Sequence, residues 1–349
     1  MNEYPRQKAL NCLLPFGLRR PPLKKNKQFS YAKYGYLFCL PFTIAFLIFS
    51  FYPTLYTAII GFTDLKGIGM TSFHFLKDDP FKNFRDILHN AMFLTSLQNT
   101  VKIWISNFIP QILLALLLTA WYTDTRTKIK GQGFFKVMFY MPNIITAASI
   151  AILFKTLFDY PMSPANDIAV SLKLASQPVN FLINKTVARG IIAFIQFWMW
   201  YGYTAIILMS GVLGINTEIF EAAAVDGATR AQTFVLITLP NLKTILLFTL
   251  VTSLIGGLNM FDIPKLFLLG GPDNATLTTS VFIYNQAFSG GYLYNRAAAA
   301  SMIMFIIICI CSGILFYLLR DRDEVKLQKE IKKQRKRQAA EAKIKKGEC

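Results

Sequence analysis

Residues 214–243 read GINTEIFEAAAVDGATRAQTFVLITLPNLK and lie between two apolar runs, about Val187–Leu213 and about Lys243–Phe261. This connector is short, polar at intervals and bent. Asn216 or Thr217 can cap a helix running through Glu221-Ala222-Ala223-Ala224, because a short polar side chain accepts from the first free backbone amides. Asp226-Gly227 ends that helix, with glycine taking the left-handed conformation common at helix termini. Thr229 and Gln232 then have the spacing of a capping box for a second helix, and Pro240 marks the passage into the next apolar run. The flanking runs are long enough to cross a bilayer, whose core of about 30 Å needs roughly 20 apolar residues in a helix. The connector is therefore a helix–turn–helix presented on one face of a membrane.

Four more stretches qualify as spans: about Tyr36–Phe62, Asn99–Trp121, Phe135–Phe158 and Ala297–Leu319. The expected fold is an all-α integral membrane protein with six transmembrane helices. The first run is too long for the apolar core of a cleavable leader, lacks a small-residue cleavage site and follows more than thirty residues of tail. Composition agrees. The chain has 349 residues, of which 54% are hydrophobic and 31 are Phe; mean hydropathy is +0.40. Charged residues make up 16%, against roughly 25% in soluble domains.

The net charge of +18 is concentrated at the ends: residues 1–33 hold eight Lys/Arg against one acid, and residues 320–349 hold twelve against six. A greasy middle with basic ends excludes a nucleic-acid binder and sets orientation, since positive segments stay cytoplasmic. Both termini are expected inside, as is the Asp124–Lys136 segment with Arg126, Lys128 and Lys130; segment 63–98, with four basic residues balanced by four acids, is expected outside. The C-terminal run is expected as a solvated helix or tail near anionic headgroups.

Metal and cofactor chemistry finds no purchase. Cys12, Cys39, Cys309, Cys311 and Cys349 include no CxxC pair, and His74 and His89 are far apart. No GxxxxGK[ST] loop is present, so the chain carries no Walker A site of its own. Gly270-Gly271-Pro272 is a turn signal, and the sequons at Asn184 and Asn274 are chance matches.

Polar groups in hydrocarbon are costly and usually face a bundle interior or a pathway. Gln196, Met199, Trp200 and Tyr203 fall on one face of the fourth span. Asn259 and Asp262 close the fifth, after Gly256-Gly257. An amide beside aromatic rings suits a sugar, offering hydroxyl partners and a flat apolar surface. Spacing equally admits helix–helix contacts and interfacial packing for these residues. Asn107, Gln111 and Asn143 read as helix contacts, or as partners for backbone freed near Pro110 and Pro142. The connector also has two open readings: Ile219, Phe220 and Glu221 can anchor in a partner's groove, or the helix can lie on lipid.

A resemblance narrows these alternatives. Glu221-Ala222-Ala223, three residues, Gly227, nine residues, then Ile237-x-Leu239-Pro240 resembles the EAA loop of binding-protein-dependent ABC importer permeases. EAAAVDGATRAQTFVLITLP looks like the carbohydrate branch, the maltose and glycerol-phosphate type. Asn99-Thr100, Phe134-Phe135-Lys136 with Pro142, Leu258-Asn259-x-Phe261-Asp262, Gly270-Gly271-Pro272, TTSVFIYNQAF at Thr278–Phe288 and the Ala297–Ala300 run agree. Departures are Asn216 where the family commonly has Pro, Lys136 where Arg is frequent, and Pro161–Asn166 in place of Gly-x-x-Asn.

The resemblance implies a type I ABC importer permease core at 95–319, preceded by a basic tail at 1–33 and a first helix at 34–62, and followed by a basic tail at 320–349. It implies that loop 214–242 couples to a separate ATPase dimer through Glu221, Ala222, Ala223, Asp226 and Gly227. It also implies a solute pathway at Gln196, Met199, Trp200, Tyr203, Asn259 and Asp262. The expected setting is the bacterial plasma (inner) membrane. Expected partners are a second permease subunit forming a heterodimer, an external solute-binding protein and a carbohydrate, with no cofactor, metal or enzymatic activity in this chain. A glycerol-phosphate would call for Lys or Arg in the pathway, and none is evident. A secondary transporter would call for intramembrane charges and an internal repeat; Asp262 is the only acid near a span interior, and no repeat is found. A membrane-embedded transferase would need a cluster of acids or histidines.

Overall fold

Capping residues open the long apolar runs. In the computed structural model, which describes residues 32–319 except Thr71, Thr125 and 127–129, together with 330–335 and 337–338, α1 runs Ala32–Phe46 and continues through a π-helical turn, Leu47–Phe51, into Tyr52–Ile60. The short α2 (Lys82–Leu88) leads to α3 (Ala91–Tyr122), whose first amides, of Met92 and Phe93, donate to the Asn90 side chain at 2.9 and 3.1 Å. α4 (Gln132–Ile144), α5 (Ala147–Phe158) and the short α6 (Pro164–Ser171) follow. α7 (Lys185–Leu213) is capped by Asn184, as α3 is by Asn90.

The connector supplies α8 (Thr217–Val225) and α9 (Arg230–Gln232), the latter prolonged by a π turn at Thr233–Thr238 and a last turn at Leu239–Asn241. Then come α10 (Lys243–Leu258), α11 (Asp262–Leu268), α12 (Thr279–Phe288) and α13 (Tyr294–Leu319). Among the described residues, β-structure is limited to an isolated bridge between Thr63 and Phe75.

The helices make five candidate spans, or six if α4 and α5 count as one. The sequence-based expectation of a continuous third span is corrected: α4 and α5 are bent by 89°. Pro142 removes a backbone donor near the end of α4. Thr146 then starts a new helix, its hydroxyl accepting from the Ser149 amide at 3.3 Å. The fifth run is also broken, since α10 ends at Leu258 and α11 begins at Asp262.

Contacts divide the chain into residues 54–320 and a smaller unit of residues 1–53 with 321–349. In the smaller unit the described part of α1 displays Phe38, Phe42 and Phe49 as exposed apolar side chains, which suits a lipid-facing helix. The tail expectations for 1–31 and for most of 320–349 lie outside the described residues.

Within 54–320, α3 and α7 form the longest packing seam. Lipid tails are as apolar as Leu, so packing density rather than water exclusion drives this association. Gly202 on α7 marks the closest approach: a Cβ there would lie 1.8 Å from the Phe139 carbonyl oxygen of α4. Gln111 Nε2 of α3 donates to Thr204 Oγ1 of α7 at 2.7 Å, a bond worth about 0.6 kcal/mol in such surroundings. One core joins Ile103, Ile150, Ile192, Ile195, Ile263 and Phe267, tying α3, α5, α7 and α11. A second gathers Phe93, Leu254, Val281, Phe282 and Ala299, so the buried alanines of α13 admit close helix contact.

Candidate transport cavity and coupling loop

α7 is 29 residues long, about 43 Å at 1.5 Å per residue, and Gln196 to Tyr203 occupy its middle turns. These side chains line one cavity of about 410 Å³. α7 contributes Gln196, Met199, Trp200 and Tyr203, and the break after α10 contributes Asn259 and Asp262. All six pathway candidates therefore meet around one volume, although Asn259 and Asp262 reach it from a turn and a new helix rather than from one helical face. Trp200 and Tyr203 pack edge to face, with ring centroids 5.7 Å apart. Both remain exposed, at 42% and 37%, so the aromatic wall is open on that side.

α3 adds Trp104, Asn107 and Gln111 to the wall, which sequence reasoning did not assign to a pathway. Gln111 does hold helices together, as expected, through Thr204. Asn107 donates only to the Ile103 carbonyl of its own helix, at 3.1 Å. Their spacing of three and four with Trp104 repeats the pattern of Trp200, Tyr203 and Gln196, and was the available signal. α10 adds Thr249, Thr252 and Ser253. Trp104 Nε1 donates to Ser253 Oγ at 3.3 Å, and Gly257 makes room for that indole, since a Cβ there would lie 1.9 Å from it. The Thr249 hydroxyl is buried without a partner among the described residues.

The cavity is lined by amide, hydroxyl and aromatic groups together with Met199, Ile207, Met260 and Ile263, with one carboxylate, Asp262, and no Lys or Arg. Neither Gln196 nor Asp262 has a side-chain hydrogen bond or ion pair to the described residues, which leaves both free toward the cavity. Asn259 Nδ2 donates to the Ile255 carbonyl at 3.0 Å. No group of His, Cys, Asp and Glu able to hold a metal occurs among the described residues.

About 15 Å of helix separates Tyr203 from the end of α7, where the bent connector begins. Asn216 caps α8, accepting from the Glu218 amide at 3.1 Å. Gly227 sits at φ 74°. The turn it makes lets the Ala228 amide reach the Ala223 carbonyl at 2.9 Å. Both halves of the Thr229/Gln232 capping box are formed. Glu221, Ala222, Asp226 and Gly227 are exposed, while Ala223 is buried. Val225 is 87% exposed. Two contacts fasten the turn to the α3–α4 loop: Arg126 donates to the Ala228 carbonyl at 2.9 Å, and Arg230 Nε lies 3.0 Å from Asp124 Oδ2. The connector and the α3–α4 loop thus touch.

Comparisons with known proteins agree with this architecture. The family model described as "Binding-protein-dependent transport system inner membrane component" matches residues 100–324. The chain is 30% identical over 290 residues to the lactose transport system permease protein LacF of Rhizobium radiobacter, covering 82% of this chain and 94% of that one. It is 29% identical over 281 residues to the multiple sugar-binding transport system permease protein MsmF of Streptococcus mutans, covering 80% and 92%. Identity to the arabinooligosaccharides transport system permease protein AraP of Bacillus subtilis is 30% over 284 residues, covering 80% and 86%. Among solved structures, a bacterial ABC transporter involved in import of the acidic polysaccharide alginate superposes with a TM-score of 0.70 at 22% identity, over 84% of this chain and 97% of that chain. That likeness is one of fold.

Proposed function

Because this chain belongs to the family of binding-protein-dependent transport system inner membrane components, we propose that it is the permease subunit of an ATP-driven importer for a sugar or oligosaccharide. The observation that carries the reading is the pairing of a cavity at mid-helix with an exposed bent loop at the end of the same helix, α7. Relatives named for lactose, multiple-sugar and arabinooligosaccharide transport support a carbohydrate solute. The absence of Lys and Arg from the cavity lining favours a neutral sugar over a glycerol-phosphate.

In this reading a separate ATPase dimer closes on ATP, and its motion enters through Glu221, Ala222, Ala223, Asp226 and Gly227. Rigid α7 passes the displacement to the cavity wall, and the walls rock between outward and inward openings. The solute arrives from an external binding protein, and a second permease subunit closes the open aromatic side. Hydrolysis takes place on the partner, not on this chain. Gln196 supplies hydrogen bonds to hydroxyls, while Trp200 and Tyr203 take the apolar face of the sugar ring.

The test is uptake of radiolabelled lactose, arabinose and malto-oligosaccharides by cells carrying the complete transporter. Gln196→Ala and Tyr203→Ala should each raise the half-saturating concentration by about tenfold, the equivalent of one lost hydrogen bond or aromatic contact. Co-purification of the ATPase should be unchanged. Loss of the ATPase from these variants would assign the residues a folding role instead.

A further inference from the structure

At about 410 Å³ the cavity lies near the lower end of small-molecule sites, which run from roughly 300 to 1,000 Å³. A ladder of aromatic rings leads out of it. Phe261, in the cavity wall, lies 5.2 Å from Tyr284 between ring centroids, and Tyr284 lies 5.1 Å from Phe288. Phe288 is 6.3 Å from Tyr294, which is 6.4 Å from Tyr292. Tyr284 and Phe288 are four apart on α12 and so share a face.

The row differs from a core pair such as Phe93 and Phe282, which are 0% and 1% exposed: Tyr284 and Phe288 are 38% and 57% exposed. The row also has polar flanks, unlike a lipid-facing surface. Lys265 Nζ sits 4.6 Å above the Tyr284 ring and donates to Asn285 Oδ1 at 2.8 Å, an oxygen that also accepts from Ser289 Oγ at 3.4 Å. The far end is tied to the segment after α1, where the Gly67 amide donates to the Tyr292 carbonyl and the Asn295 amide to the Leu65 carbonyl. That segment is the one charge bias places outside, and Asp273 pairs with Lys185 at the end of α7 remote from the coupling loop.

We propose that this ladder is an outer carbohydrate subsite: the leading sugar of a neutral oligosaccharide occupies the cavity while following rings lie across Tyr284 and Phe288. The proposal rests on the sugar-importer reading and narrows its substrate to chains of several rings. Each sugar ring has an apolar C–H face and a hydroxyl rim. Tilted, exposed aromatic rings at similar separations offer that face repeated contact without fixing register, so a chain can advance ring by ring. Lys265 holds Tyr284 in place from one side.

The experiment measures uptake of radiolabelled glucose, maltose, maltopentaose, arabinose and arabinopentaose by cells carrying the complete transporter with Tyr284→Ala, Phe288→Leu or Phe288→Tyr. The alanine and leucine variants should lower pentasaccharide uptake about tenfold while leaving the shorter sugars within about twofold, and Phe288→Tyr, which keeps a ring, should retain pentasaccharide uptake. Equal effects at every length, no effect at any length, or loss of the second permease from the purified Phe288→Leu complex would overturn the ladder; the last would make it a subunit contact. Failure of the wild-type transporter to take up any of these sugars, or the lactose of the preceding test, would instead overturn the sugar reading on which the ladder rests.

Discussion

At the scale of single residues, glycine positions show how little space the helix crossings leave. Gly202 carries the tightest case, because the atom its Cβ would meet is a backbone oxygen that cannot rotate away. Gly202→Ala should therefore lower stability by about 3 kcal/mol, the upper range for overpacking, read as thermal unfolding of the detergent-purified complex. Gly190, on the same helix with nothing within 4 Å of its Cβ position, should accept alanine without loss. Equal tolerance at both positions would mean that α4 does not approach α7 as closely as the structure has it. Gly202 is also an example of a residue whose importance the sequence could not display. It stands in WMWYGYTA among aromatic residues, and nothing in that string tells which helix will press on it.

At the scale of elements, the connector was readable and α4–α5 was not. Asn216, Gly227, Thr229 and Gln232 act through backbone groups within a few residues of themselves, so their pattern is local and can be read from the string. The bend after α4 depends on Pro142 and on Thr146 capping a new helix, a signal overridden in the sequence reading by the continuous apolar character of 135–158. For the connector, Gly227→Trp and Glu221→Lys should leave membrane insertion intact. Sugar taken up per ATP hydrolysed should nevertheless fall about tenfold or more, as expected when an exposed docking surface is blocked by a bulky ring or has a contact charge reversed. The bulky residue is doubly unfavourable at φ 74°. Wild-type coupling ratios in both variants would remove the connector from the energy-transfer route.

At the scale of the whole molecule, α7 has two ends with different company. One ends near the turn that Arg126 and Arg230 fasten to the α3–α4 loop; the other carries Lys185 and Arg189, which meet Asp273 and the Ala275 carbonyl. In a background freed of native cysteines, Val225→Cys should react with a membrane-impermeant maleimide only from the cytosolic side. Asp273→Cys should react only from outside. Removing Asp273 costs little, since exposed ion pairs contribute about 1 kcal/mol or less. Labelling of both positions from one side would break the six-crossing orientation.

The sequence by itself determined that the chain is an all-helical membrane protein, where the bent loop lies, and which face of α7 is polar and aromatic. Each of these depends on hydropathy, periodicity or capping, and such interactions act over a few residues. Only the tertiary structure decided that Trp104 and Asn107 share a cavity with Gln196, that a break at 259–261 brings Asp262 to it, and that Phe261 opens onto exposed rings some twenty to thirty residues further along. Those relations are set by which helices pack together. Packing depends on shape complementarity between distant segments, which no local pattern encodes.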